Sequence, residues 1–221
     1  MVWVIQIIIL LYCICVAIRI IQLQRYNPQL ELIHVTDKDE LISNLSKLSP
    51  ILLYEKHKKL PILNESQVIN YNSESIPLSR YSQSSDPLFI YKDETLDTVN
   101  QSIDMSFVPE SSILLPQKRS MSIIQGNHTT SIQRNIHNYL FLETVDGYST
   151  IYLINPKFKE TKENYKNIGY QLILQPKTLL YIPPNWYFVQ EIDEKAIQYH
   201  IEIDDVFTCV PNFLKKKLDI V

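Results

Sequence analysis

From Val2 to Ile18 a single polar side chain, Gln6, interrupts an apolar run, and Ile20, Ile21 and Leu23 carry it past Arg19. Coiled as an α-helix, Val2 to Leu23 is about 33 Å long, enough to cross the ~30 Å hydrocarbon core of a bilayer. Beyond it the pattern changes. Leu30 to Val35 alternates weakly, as a strand does. Thr36-Asp37 then caps a helix with Leu41, Leu45 and Leu48 on one face; Pro50 ends it and Ile51 to Tyr54 follows as a strand. Between Pro61 and Pro87 Ser, Asn and Pro mix with recurring apolar residues, which predicts a long surface excursion of the same domain. From Pro87 onward short β-rich runs recur: Leu88 to Tyr91, Ser102 to Val108, Ser120 to Gln125, Tyr139 to Thr144, Thr150 to Ile154, Tyr170 to Leu174, Thr178 to Ile182, Trp186 to Glu191 and Ala196 to Ile203. Closely spaced strands punctuated by Pro, Asn and Gly predict a mainly β fold, a sandwich or barrel of jelly-roll type with a few flanking helices. Lys157 to Asn167 is a polar insertion with helical character, and Val206 to Leu218 reads as a terminal helix packed on one face.

The expected organisation is a transmembrane anchor over residues 1–25 and one domain over residues 26–221. A cleaved signal peptide would have a basic residue ahead of the apolar run and a small-residue cleavage site after it; no Lys or Arg precedes Arg19 and no A-x-A pattern follows. Arg19, Arg25 and Lys38 flank the C-terminal end of the run, so the positive-inside rule places the domain on the cytosolic side of a single-pass protein. The sequons at Asn44, Asn64, Asn100 and Asn127 would then stay unmodified.

Composition removes several function classes. The formal charge of −3, without a basic stripe, offers no footprint for nucleic acid. Three cysteines, two of them (Cys13 and Cys15) inside the apolar run, exclude a disulfide framework and a cysteine zinc site within one chain. Three glycines are too few for a Gly-rich phosphate loop.

Thr178 to Ile182, stopped by Pro183-Pro184-Asn185 and resumed by Trp186-Tyr187-Phe188, resembles the strand-turn-strand of the JmjC-like cupin family of iron and 2-oxoglutarate oxygenases. Asn138 to Pro156, with a turn glycine at Gly147, is similar to another part of that core. The resemblance implies a double-stranded β-helix and assigns positions to its chemistry. The distal metal-binding histidine falls at Phe188, the His-x-Asp pair at Arg134 and Ile136, and the cation that binds the cosubstrate carboxylate at Ser149. An iron(II) centre of this kind needs two imidazoles and a carboxylate. Guanidinium, sec-butyl and phenyl groups supply no lone pair for it, and a hydroxyl replaces the cation.

The resemblance therefore implies a degenerate member with no cofactor and no metal, a membrane-anchored module that binds or scaffolds an unknown protein or small-molecule partner. Its former pocket is expected to be filled by the Arg134 side chain and apolar groups, with Trp186, Tyr187 and Tyr181 lining what remains. Two other readings stay open: a hydroxylase whose ligands are displaced to histidines such as His128, His137 or His200, and a viral or organelle membrane scaffold on an unrelated β-sandwich. No two of the five histidines stand at i, i+2 or i, i+4, so hydrogen-bonded or surface roles are the simpler expectation for each.

Overall fold

The structure, a computed structural model, describes residues 2–24, 31–54, 68–71, 74–77, 89–93, 118–158 and 164–212. The apolar run is a single helix, α1 (Val2–Leu23). The strand-helix-strand opening follows as β1 (Ile33–Val35), α2 (Lys38–Asn44) and β2 (Ile51–Tyr54), with β1 and β2 parallel. Asp37 caps α2, its carboxylate accepting from the Glu40 backbone N–H at 2.8 Å, and a 3-10 turn at Leu45–Lys47 ends it. A hairpin, β3 (Val68–Tyr71) with β4 (Glu74–Pro77), lies within the stretch read as a surface excursion. The expected strand at Ser102 to Val108 and most of the expected terminal helix lie outside the described residues; a helical turn over 209–212 is its described part.

The core strands are β5 (Phe89–Asp93), β6 (Lys118–Gln125), β7 (His128–Thr129), β8 (Gln133–Arg134), β9 (Tyr139–Gly147), β10 (Ser149–Ile154), β11 (Tyr170–Leu174), β12 (Thr178–Ile182), β13 (Tyr187–Ile192) and β14 (Lys195–Ile203). A short helix, α3 (Tyr165–Ile168), precedes β11. Two sheets result. The larger runs β1-β2-β12-β9-β14-β6-β5 and the smaller β11-β10-β13-β7, with β8 also paired to β13. All pairings within these two sheets other than β1 with β2 are antiparallel. From β9 onward the chain alternates between sheets: β9 in the larger, β10 and β11 in the smaller, β12 in the larger, β13 in the smaller, β14 in the larger.

The central strands of the larger sheet, β12, β9 and β14, are buried on both faces. On β9, Phe141 and Val145 point away from the smaller sheet into a cluster with Ile51, Leu53, Leu179, Tyr181, Tyr199 and Ile201, covered by Leu41 and Leu45 of the α2 segment. Leu140 and Leu142, of opposite parity, point into the space between the sheets, where Leu180 and Ile182 meet Ile151, Leu153, Leu172, Leu174, Trp186 and Phe188 from the smaller sheet. Burial on both faces explains why these strands read as near-continuous apolar runs rather than a clean alternation.

The corner from β9 to β10 depends on Gly147. Its φ is +74°, a conformation open to glycine, and a Cβ there would stand 2.0 Å from the Lys195 carbonyl oxygen. Neither partner can retreat, because Gly147 is paired with Ala196 across the sheet. Gly147→Ala in the full chain is expected to cost at least about 2 kcal/mol, read as a lower urea midpoint by tryptophan fluorescence. An unchanged midpoint would rule out this turn geometry.

Candidate functional site

Between the sheets the apolar filling stops at one end, where inward positions turn polar. On β13 the inward residues are Phe188 and then Gln190; on β14 they include Gln198; β9 contributes Thr144 and β10 begins with Ser149, and all four polar side chains are buried. Gln190 Nε2 donates to Ser149 Oγ at 3.0 Å and also to Gln198 Oε1. Gln198 Nε2 donates to Ser149 Oγ at 2.9 Å and to Thr144 Oγ1 at 3.2 Å. Both amides thus present N–H to Ser149 Oγ, whose two lone pairs can take them. Ser149 thus accepts twice and keeps its own proton to donate. A β-bulge between Ile197 and Gln198 sets this register on β14.

Ser149 also lines a cleft of about 530 Å³, whose wall carries Asp146, Tyr148, Glu191, Asp193, Glu194 and Lys195. Lys195 Nζ lies 2.9 Å from Asp146. Glu191 accepts from Tyr165 Oη at 2.8 Å and Tyr152 Oη at 3.2 Å and pairs with Lys166 at 2.7 Å. Burial alone would raise the Glu191 carboxyl, but the bonds from Lys166 and the tyrosines outweigh it and hold it below the usual range.

The positions assigned by the family resemblance are distributed differently from expectation. Phe188 does point between the sheets, 4% exposed and packed with Leu140, Leu153 and Trp186. Arg134 does not join it. On β8, Gln133 stands opposite Phe188 and Arg134 opposite Tyr187, so Arg134 is on the other face of the smaller sheet. There its guanidinium lies 5.8 Å from the Tyr187 ring centre and donates to Asn185 Oδ1 at 2.7 Å. The expectation that Arg134 enters the space between the sheets is therefore corrected: the side chains around Phe188 there are apolar. Ile136 is half-buried between β8 and β9. Ser149 is inward, within the amide network just described.

Trp186, Tyr187 and Tyr181 do not share a surface. Trp186 belongs to the cluster between the sheets, Tyr181 to the cluster beneath α2, and Tyr187 to the Arg134 face. The Trp186 indole N–H and the Tyr181 hydroxyl are buried without a hydrogen-bond partner among the described residues, so both rings act as packing. The donor set at Arg134, Ile136 and Phe188 does not fit an iron(II) centre. The histidines offered as displaced ligands are spread over β7 (His128), the turn before β9 (His137) and β14 (His200). His200 Nε2 lies 3.1 Å from Ser122 Oγ. With Glu202 it makes a His-x-Glu spacing that a search for histidine pairs passes over. Among the described residues no three His, Cys, Asp or Glu side chains are disposed to hold a metal.

A second feature was not read from sequence. His137 sits between two carboxylates, Nδ1 2.8 Å from Asp204 and Nε2 3.2 Å from Glu202. Asp204 also accepts from Asn212 Nδ2 at 2.8 Å and from the Asn138 backbone N–H at 3.3 Å. Burial alone would lower the His137 pKa, but hydrogen bonds and charge from Asp204 and Glu202 prevail and push it up to about 9. Residues 67 apart in sequence meet here, and single-sequence spacing carries no signal for that.

No family model matches the chain, and no curated protein matches it. Among solved structures it is similar to an 11S globulin from Wrightia tinctoria, reported as revealing an auxin binding site. Identity is 12% and the TM-score 0.33, over 41% of this chain and 21% of the globulin chain. The alignment thus spans about a fifth of the globulin, and a likeness of that extent assigns nothing.

The ion-paired His137 makes stability depend on pH in a defined direction. Its folded pKa lies above its unfolded one, so its contribution is fully present below about pH 6.5 and is lost as pH rises through about 9. The full chain should lose roughly 3 kcal/mol of unfolding free energy across that window, and His137→Ala should flatten the loss. Equal pH slopes for the two proteins in urea titrations would refute the ion pair.

Proposed function

We propose that this chain is a membrane-anchored, JmjC-like cupin domain that has exchanged its iron and 2-oxoglutarate site for packing and acts as a binding or structural module rather than an enzyme. The observation that carries this reading is Phe188, the position the resemblance assigns to a metal ligand, turned between the sheets into an apolar cluster, with Arg134 turned to the opposite face. The strand order supports the double-stranded β-helix: β12-β9-β14-β6 in one sheet and β11-β10-β13-β7/β8 in the other is the order obtained when two antiparallel ribbons are wound together. The cleft beside Ser149 is the open surface of such a module. Its four carboxylates against one Lys195 oppose entry of a dicarboxylate such as 2-oxoglutarate.

The anchor in this reading is α1, which over Trp3–Leu23 is long and apolar enough to cross a membrane. Arg19 and Arg25 at its C-terminal end support a cytosolic domain.

Two measurements test these statements. Iron(II) or manganese(II) with 2-oxoglutarate, added anaerobically to the full chain in detergent, should leave its melting temperature unchanged and yield no succinate. A cosubstrate-dependent rise in melting temperature would mean that other residues had been recruited as ligands. In a eukaryotic host, Asn44, Asn64, Asn100 and Asn127 should remain unglycosylated; an endoglycosidase-sensitive mass shift would reverse the topology.

A further inference from the structure

α1 is not a free tether. Its N-terminal part, Trp3 to Leu11, is exposed all round, whereas Val16, Arg19, Ile20 and Leu23 are partly covered. With Tyr12 these residues form one helical stripe, at the i, i+4, i+7, i+8, i+11 spacing of a single face. The domain grips that stripe at three levels. Tyr12 Oη donates to the Val206 carbonyl at 2.8 Å, with its ring centre 6.2 Å from that of Phe207. Arg19 Nε donates to Asp205 Oδ2 at 2.7 Å. Asn185 Nδ2 donates to the Leu23 carbonyl at 2.8 Å. Asp205 is itself held: its other oxygen accepts from the Phe207 backbone N–H at 2.9 Å and the Thr208 backbone N–H at 3.0 Å. One carboxylate therefore fixes both the turn at 205–208 and the helix beside it.

We propose that the domain is seated in the bilayer surface through the edge Val206–Val210, which lies alongside α1 at or below the level of the lipid headgroups. This rests on reading α1 as membrane-inserted. The geometry leaves no other placement while the contacts hold. Tyr12 and Leu23 are separated by about 16 Å along the helix, half of the ~30 Å hydrocarbon core. With Leu23 at the headgroups, Tyr12 and its partner Phe207 reach the acyl chains. With the helix slid outward until Tyr12 is at the headgroups, only Val2 to Leu11, about 15 Å, remains immersed, and the edge rests on the surface. The chemistry of the edge suits both. Val210 is 46% exposed, beside partly exposed Val206, Phe207 and Cys209, and Val206 and Phe207 meet α1 at Tyr12. Arg19, the basic residue of the stripe, is ion-paired with Asp205 and so carries less of the cost of immersion.

The test uses the full chain in phosphatidylcholine vesicles whose acyl chains carry a nitroxide. In a Cys13→Ser, Cys15→Ser, Cys209→Ser background, Val210→Cys or Tyr148→Cys is labelled with an environment-sensitive fluorophore; Tyr148, 63% exposed beside the cleft, is the reference. Quenching of Trp3 in unlabelled protein reports insertion of α1, with fully buried Trp186 as a constant background. The expected result is quenching of Trp3 together with about two-fold or more stronger quenching at 210 than at 148, the difference shrinking in Arg19→Gln while Trp3 is unaffected. Quenching of Trp3 with 210 and 148 alike would overturn the proposal and leave a tethered domain. An unquenched Trp3 would overturn the anchor itself, and the seating with it.

Discussion

The central strands β9, β12 and β14 have no solvent side, and the rest of the molecule is arranged around that constraint. With side chains alternating at period two, each position on these strands is committed either to the cluster beneath α2 or to the space between the sheets. A slip of one residue would exchange the whole of one set for the other. The β1-α2-β2 opening is needed for this reason: without Leu41 and Leu45 the outer face, with Phe141, Tyr181 and Tyr199, would lie open.

The same alternation decides what the interior can do chemically. Phe188 is packed against leucines between the sheets, and the polar inward residues gather beyond it at Ser149, Gln190, Gln198 and Thr144. Neutral amides and hydroxyls satisfy one another in such a place without the desolvation cost of a buried ion. Ion pairs form at the edges of this interior: Glu191 with Lys166 by the cleft, and His137 with Asp204 and Glu202 at the ends of β9 and β14.

Much of this architecture is legible in the chain. The limits of β11 and β12 coincide with the apolar runs at Tyr170 to Leu174 and Thr178 to Ile182, the cap at Asp37 is where a helix start requires one, and Gly147 is the turn glycine expected between two strands. Strands β7 and β8 are two residues each, too short to show a period. Their register was therefore out of reach, and with it the face on which Arg134 emerges. The three aromatics of the strand-turn-strand motif looked like one surface because they are near in sequence. Alternation and the turn at Asn185, φ 68°, send them to three different environments. Pairings such as His137 with Asp204, made only by the fold, leave no trace in local spacing.

Asp205 and Arg19 are 186 residues apart, and a ribosome adds that length in roughly 10–40 s. The apolar helix is thus made long before the carboxylate that will grip it exists. Docking must also wait for β14, the last of the described strands, whose pairing with both β6 and β9 closes the larger sheet. Assembly is then ordered by synthesis: the helix first, as an isolated segment; the sheets next; and the clasp between them last, formed only on a finished domain.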